Sequence, residues 1–171
     1  KGRSSGVVWL KAVPTPHWQS VNANTMPWSD PLTLPNGIVV PNRMLKSACT
    51  EGLADHESRV TERHLNLYRL WARGGAGILL SGNIQVDRRY LERAGNVCID
   101  KAYPHTYDAK QQHMLRQWAA VTKARGSLLL GQLSCAGLKT PQYCGGPAIG
   151  PSEAPARAGL EPEAGGRAAT A

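Results

Sequence analysis

The residues best placed to do chemistry sit where short apolar runs end. Ser47-Ala48-Cys49-Thr50-Glu51 closes one run, Ser81-Gly82-Asn83 a second, and Gln132-Leu133-Ser134 a third. These segments offer hydroxyl and amide groups among small residues that let a flat ligand approach the backbone. A glutamine amide donates and accepts at once, which suits the imide edge of a ring such as a flavin's, and a threonine hydroxyl can donate to a ring carbonyl. Polar strand ends are common, so residue types alone leave the ligand open.

Other chemistries find less support. The histidines, His17, His56, His64, His105 and His113, never recur at helical i, i+3 or i, i+4 spacing. No helix face therefore presents two imidazoles to a metal, and no metal site is expected. Cys49, Cys98, Cys135 and Cys144 contain no C-x-x-C pair, which argues against a zinc ribbon, a thioredoxin-type motif or a disulfide scaffold. Reduced thiols are expected, and none has an evident partner to make it a nucleophile. Gly74-Gly75-Ala76-Gly77 ends a predicted helix and enters a strand, the reverse of the dinucleotide-binding order, so it reads as a helix stop and tight turn.

Net charge is +8, but the basic residues are scattered and Arg88-Arg89 is their only adjacent pair. A nucleic-acid partner is not expected, because such a footprint is clustered on one element. No apolar run approaches the roughly 18 residues that a spanning helix needs, so no membrane partner is expected. The chain starts at Lys1, and its opening apolar stretch is too short for a secretory signal. A cytoplasmic location is expected.

The elements that must position these residues follow from apolar periodicity. Residues 1–30 read as an irregular lead-in, 31–155 as a partial domain, and 156–171, rich in Ala, Gly and Pro, as a disordered tail. Pro35-Asn36-Gly37 separates two short apolar runs, which predicts a small hairpin. A strand is expected over 43–48, then a helix over 62–73 capped by Thr61, with Leu67, Leu70 and Trp71 on its inner face. Gly77–Ser81 reads as a buried strand. Asp108 and Gln111 form a capping-box pattern opening a helix to about Arg125, with Leu115, Trp118, Ala119 and Thr122 inward. Leu128–Leu133 reads as a third strand. Strand and helix alternating in this way predict an α/β fold with a parallel sheet, its strands covered on both faces. Periodicity does not separate an open doubly wound sheet from part of a (β/α)8 barrel.

Four ordered motifs narrow the choice. The run from Pro31 to Glu51 (PLTLPNGIVVPNRMLKSACTE), Arg73–Asn83 (RGGAGILLSGN), Trp118, and Gly131–Gly137 (GQLSCAG) resemble the Old Yellow Enzyme family of NADH:flavin oxidoreductases, and Ala148–Ser152 resembles the segment that follows. The resemblance covers about 31–155. It implies the N-terminal part of a (β/α)8 TIM barrel, truncated after about three β/α units. It also implies an FMN-binding flavoprotein, an ene-reductase in which NAD(P)H reduces the flavin and the flavin reduces an activated alkene. By position, Ser47, Ala48, Cys49 and Thr50 correspond to FMN-lining residues, with Thr50 facing the flavin O4. Asn83 corresponds to a flavin contact, and Gln132 to the glutamine at the pyrimidine edge.

Departures accompany the match. Relatives read Q-[LI]-S-H-x-G-R where this chain has Cys135 for the histidine and Leu138 for the arginine. The substrate-anchoring H-x-x-H or H-x-x-N pair and the phosphate-binding loops have no counterpart here, so no catalytic residue is assigned. The alternative expectation is an inactive or partner-completed half-barrel that self-associates through an exposed sheet edge.

Overall fold

The computed structural model describes residues 26–144 and 149–150, together with the backbone of 167–168. A hairpin comes first. Strand β1 (Leu32–Thr33) pairs antiparallel with β2 (Val39–Val40), with Leu32 opposite Val40. Gly37 closes the turn at φ +84°, a conformation only glycine adopts freely. Asn36 Oδ1 accepts from the Ile38 N–H at 3.2 Å, and Val40 buries the hairpin against the body.

The body is a parallel sheet organised around one strand. β3 (Leu45–Lys46), β4 (Ile78–Gln85), β5 (Val97–Cys98) and β6 (Leu128–Ser134) alternate with helices α1 (Glu62–Arg73) and α2 (Ala109–Lys123). β3, β5 and β6 all pair with β4 in parallel: β3 meets its start, β5 its end, and β6 runs along it. The fold is α/β with parallel β-α units. β4 fits the expectation of a strand covered on both faces, since most of its side chains are buried. β6 departs from that expectation. Leu133 is 68% exposed and Leu130 is exposed as well, because among the described residues β6 pairs with β4 alone. The sequence-predicted first strand shortens to Leu45–Lys46, the second extends four residues further to Gln85, and β5 was not expected.

Helix α1 begins and ends where periodicity places it. The Thr61 N–H donates to His64 Nδ1 at 3.1 Å, the Thr61 hydroxyl donates to the Leu53 carbonyl, and Gly74 and Gly75 (φ +82°) end the helix. Its buried face is not the one expected. His64, Leu65, Tyr68 and Ala72 face inward, while Leu67 and Trp71 are half-buried and Leu70 is 61% exposed. The polar residues can be buried because each has a partner. The Tyr68 hydroxyl donates to Glu51 Oε1, and the His64 ring packs 5.3 Å from that of Trp118. Trp71 instead lies under the Lys46 ammonium, 4.2 Å from its ring centre.

Helix α2 is capped by Asp108, which accepts from the Gln111 N–H at 2.8 Å. Gln111 does not return the contact. Its side chain is buried and spans to the neighbouring segments, accepting from the Val60 N–H at 3.0 Å and donating to the Cys98 carbonyl at 3.2 Å. Trp118 and Thr122 are buried, with Leu115 and Ala119 half-buried. Trp118 meets Tyr68 edge-on at 5.0 Å in a core shared with Leu65, Ala72, Leu79, Ile84 and Val97.

The lead-in up to residue 25 and most of the tail lie outside the described residues. Within the tail expected to be disordered, Arg167–Ala168 pair in parallel with Ile149–Gly150. Ladder hydrogen bonds need only backbone, so a segment poor in large apolar side chains can still form this contact.

Candidate functional site

The site is built where β4 and β6 lose their regular register. Leu80 opposes Leu130 and Asn83 opposes Gln132, so Ser81 and Gly82 together face Gly131 alone. This is a β-bulge, a device that re-aims side chains. Side chains alternate along a strand, so residues three apart would ordinarily point to opposite faces. The extra residue cancels that, and Leu80 and Asn83 share the face carrying Leu130 and Gln132. The Ser81 hydroxyl repairs the broken ladder by accepting from the Gln132 N–H at 2.9 Å.

Gly82 admits the end of the β3 segment. A Cβ there would lie 2.5 Å from the Cys49 carbonyl oxygen and 2.7 Å from Thr50 Cα. Glu51 then accepts from the Gly82 N–H at 3.0 Å, as well as from Tyr68. The close approach brings Thr50 beside the end of β4.

Thr50, Asn83 and Gln132 are joined in one chain of hydrogen bonds. Gln132 Nε2 donates to Asn83 Oδ1 at 2.6 Å, Asn83 Nδ2 donates to Glu92 Oε2 at 2.7 Å, and the Thr50 hydroxyl donates to the same oxygen at 2.8 Å. Burial pushes the Glu92 carboxyl up, but hydrogen bonds from Asn83, Thr50 and Asn96 together with the nearby Arg93 charge outweigh it and hold the group below the usual carboxylate range. Ser47 and Cys49 are exposed and Ala48 is half-buried on the segment leading to Thr50, and their side chains do not join this chain of bonds. Cys135 is exposed just past β6, and burial pushes the Cys98 thiol up to about 12.

Glu92 escapes the sequence reading. It stands in a charged run, Arg88-Arg89-Tyr90-Leu91-Glu92-Arg93, that looks like a solvated loop. The bulge had a signal: a glycine within an apolar strand pattern marks a bulge or a close backbone approach.

No protein-family model matches the sequence. Over 115 residues the chain is 36% identical to the NADH-dependent flavin oxidoreductase iliE of Neonectria sp. (strain DH2), covering 67% of this chain and 15% of that protein. Over 112 residues it is 36% identical to the iliE protein of Hypocrea jecorina (strain QM6a), covering 65% of this chain and 27% of that protein. An Old Yellow Enzyme homologue from Zymomonas mobilis superimposes with a TM-score of 0.69 at 21% identity, over 84% of this chain and 39% of its own. Over about 65% of its length this chain is a partial match to the Old Yellow Enzyme, or NADH-dependent flavin oxidoreductase, family.

Morphinone reductase in complex with tetrahydroNAD adds a TM-score of 0.67 at 17% identity, over 85% of this chain and 41% of its own. At these identities the superpositions establish the fold: the parallel β-α units match part of the Old Yellow Enzyme TIM barrel. The chain spans about a quarter or less of the curated Old Yellow Enzyme-type relatives above. Among the described residues no helix is long and apolar enough to cross a membrane, and no group of three His, Cys, Asp or Glu is placed to hold a metal.

Proposed function

We propose that this chain supplies one wall of an FMN site in an NAD(P)H-dependent oxidoreductase acting on activated alkenes. The observation that carries this reading is the fixed Gln132 amide. One Nε2 hydrogen is held by Asn83, so the side-chain oxygen and the second hydrogen remain to meet a ligand. That pair complements an imide edge, where an N–H lies between carbonyls. Exposed Ser47 and Cys49 on the segment leading to Thr50 leave room for a flat ring, so the donor set fits a flavin. Bound there, FMN would supply the carrier for a hydride passing from NAD(P)H to the alkene. Titrating FMN into the chain and into Gln132→Ala tests the reading. Affinity should fall about tenfold in the variant, the worth of roughly 1.4 kcal/mol of hydrogen bonding. Equal affinities would exclude the imide contact.

A second reading is a wall without turnover of its own, completed by another chain. Exposed Leu130 and Leu133 on β6 favour it, since an apolar edge strand invites pairing. It predicts concentration-dependent association in sedimentation that Leu133→Lys abolishes. It also predicts no enone reduction above that of free flavin by the monomer. A monomer at all concentrations would reject it.

A further inference from the structure

We propose that Glu92 is a positioning residue for this site, fixing which way the Asn83 and Gln132 amides point and holding the Thr50 hydroxyl proton. The inference rests on the flavin-wall reading for its ligand, and on hydrogen-bond chemistry for its geometry.

An ionised carboxylate can only accept. Asn83 must therefore turn its NH2 toward Glu92, at 2.7 Å, and its oxygen toward Gln132. Gln132 must in turn offer Nε2 to that oxygen, at 2.6 Å. Without Glu92 the Asn83 amide could rotate by half a turn, and Gln132 would reverse with it. One carboxylate thus sets the donor and acceptor order at a residue it does not touch. Thr50 is committed in the same way. A hydroxyl has one proton, and Glu92 Oε2 takes it at 2.8 Å, so Thr50 presents lone pairs elsewhere. The donation to a flavin O4 implied by the family resemblance would have to withdraw that proton from Glu92.

The loop carrying Glu92 is pinned. Gly95 adopts φ +83°, and a Cβ on it would lie 2.6 Å from the Gly52 carbonyl oxygen. The Ala54 N–H donates to the Gly95 carbonyl at 3.0 Å, and Asn96 Oδ1 accepts from the Arg93 N–H at 2.8 Å. These contacts lock the loop against the segment just past Thr50, which gives Glu92 a fixed place.

The test reads the side-chain amide ¹⁵N–¹H signals of the ligand-free chain. In Glu92→Ala the Gln132 Nε2 pair should shift or double, although Gln132 does not contact Glu92. Glu92→Gln keeps the shape, exchanges one acceptor for a donor, and should move the Asn83 and Gln132 pairs together. Unmoved Gln132 signals in either folded variant would overturn the proposal. A second arm compares FMN with N3-methylated FMN, which lacks the imide N–H. The wild-type preference for FMN should drop at least threefold in Glu92→Ala, and an unchanged preference counts against Glu92. If neither flavin binds while the Gln132 signals still move, the flavin reading fails and the positioning role stands.

Discussion

Asn83 and Gln132 are register partners across a β-bulge, and their side-chain amides are bonded at 2.6 Å. The pairing depends on Ser81, which buries its hydroxyl to accept the Gln132 backbone N–H. Sheet geometry and side-chain chemistry are therefore coupled at the bulge.

Ser81→Ala should cost about 1–3 kcal/mol, because it leaves a half-buried N–H without an acceptor. Urea denaturation measures the loss, and the Gln132 backbone amide should exchange faster than its neighbours. An unchanged midpoint would mean that the ladder closes without the hydroxyl.

Gly82→Ala and Gly131→Ala separate space from flexibility. The first forces a methyl group against the Cys49 carbonyl and Thr50 Cα, backbone that cannot yield cheaply. It should cost about 1–3 kcal/mol and displace Thr50. The second meets only the tip of Ile84 at 3.3 Å, the end of a movable side chain, and should be nearly neutral. Paired thermal melts of the two variants check the ordering.

Much of this was legible in the sequence, and the reasons it stopped are local. The limits of α1, the hairpin turn and the Asp108 cap depend on residues adjacent in the chain, where periodicity and capping chemistry apply directly. The inner face of α1 was not legible, because the Tyr68 hydroxyl finds its partner in Glu51 and the His64 ring packs against Trp118, both far away in sequence. Thr50, Asn83 and Gln132 could be picked out as strand-end residues, and the structure brings them together. Glu92, which joins two of them directly, sits among arginines in a loop, where no spacing rule distinguishes a half-buried hub from a solvated charge.

His64 links stability to pH. Burial drives its imidazole down to about 4 in the folded chain, with Glu51 opposing and Arg63 adding to the drop, against 6.5 in the unfolded chain. Between those values the unfolded state binds more protons, so the stabilisation is whole above pH 6.5 and drains away as pH falls toward 4. The loss should reach roughly 3 kcal/mol, at about 1.36 kcal/mol per unit. Urea midpoints measured from pH 7 to 4 should decline with that profile, and His64→Gln should flatten it.

Strand β4 carries one residue more than β6 between its matched positions, and this bears on which changes of length it can absorb. Removing either Ser81 or Gly82 would restore an even count, leaving Asn83 and Gln85 on the faces they already occupy. Removing Ile84 would turn Gln85 over and present a polar amide to the helices. The bulge is thus a place where β4 can lose a residue and stay in phase. Natural or engineered length variation in this strand should be confined to positions 81 and 82.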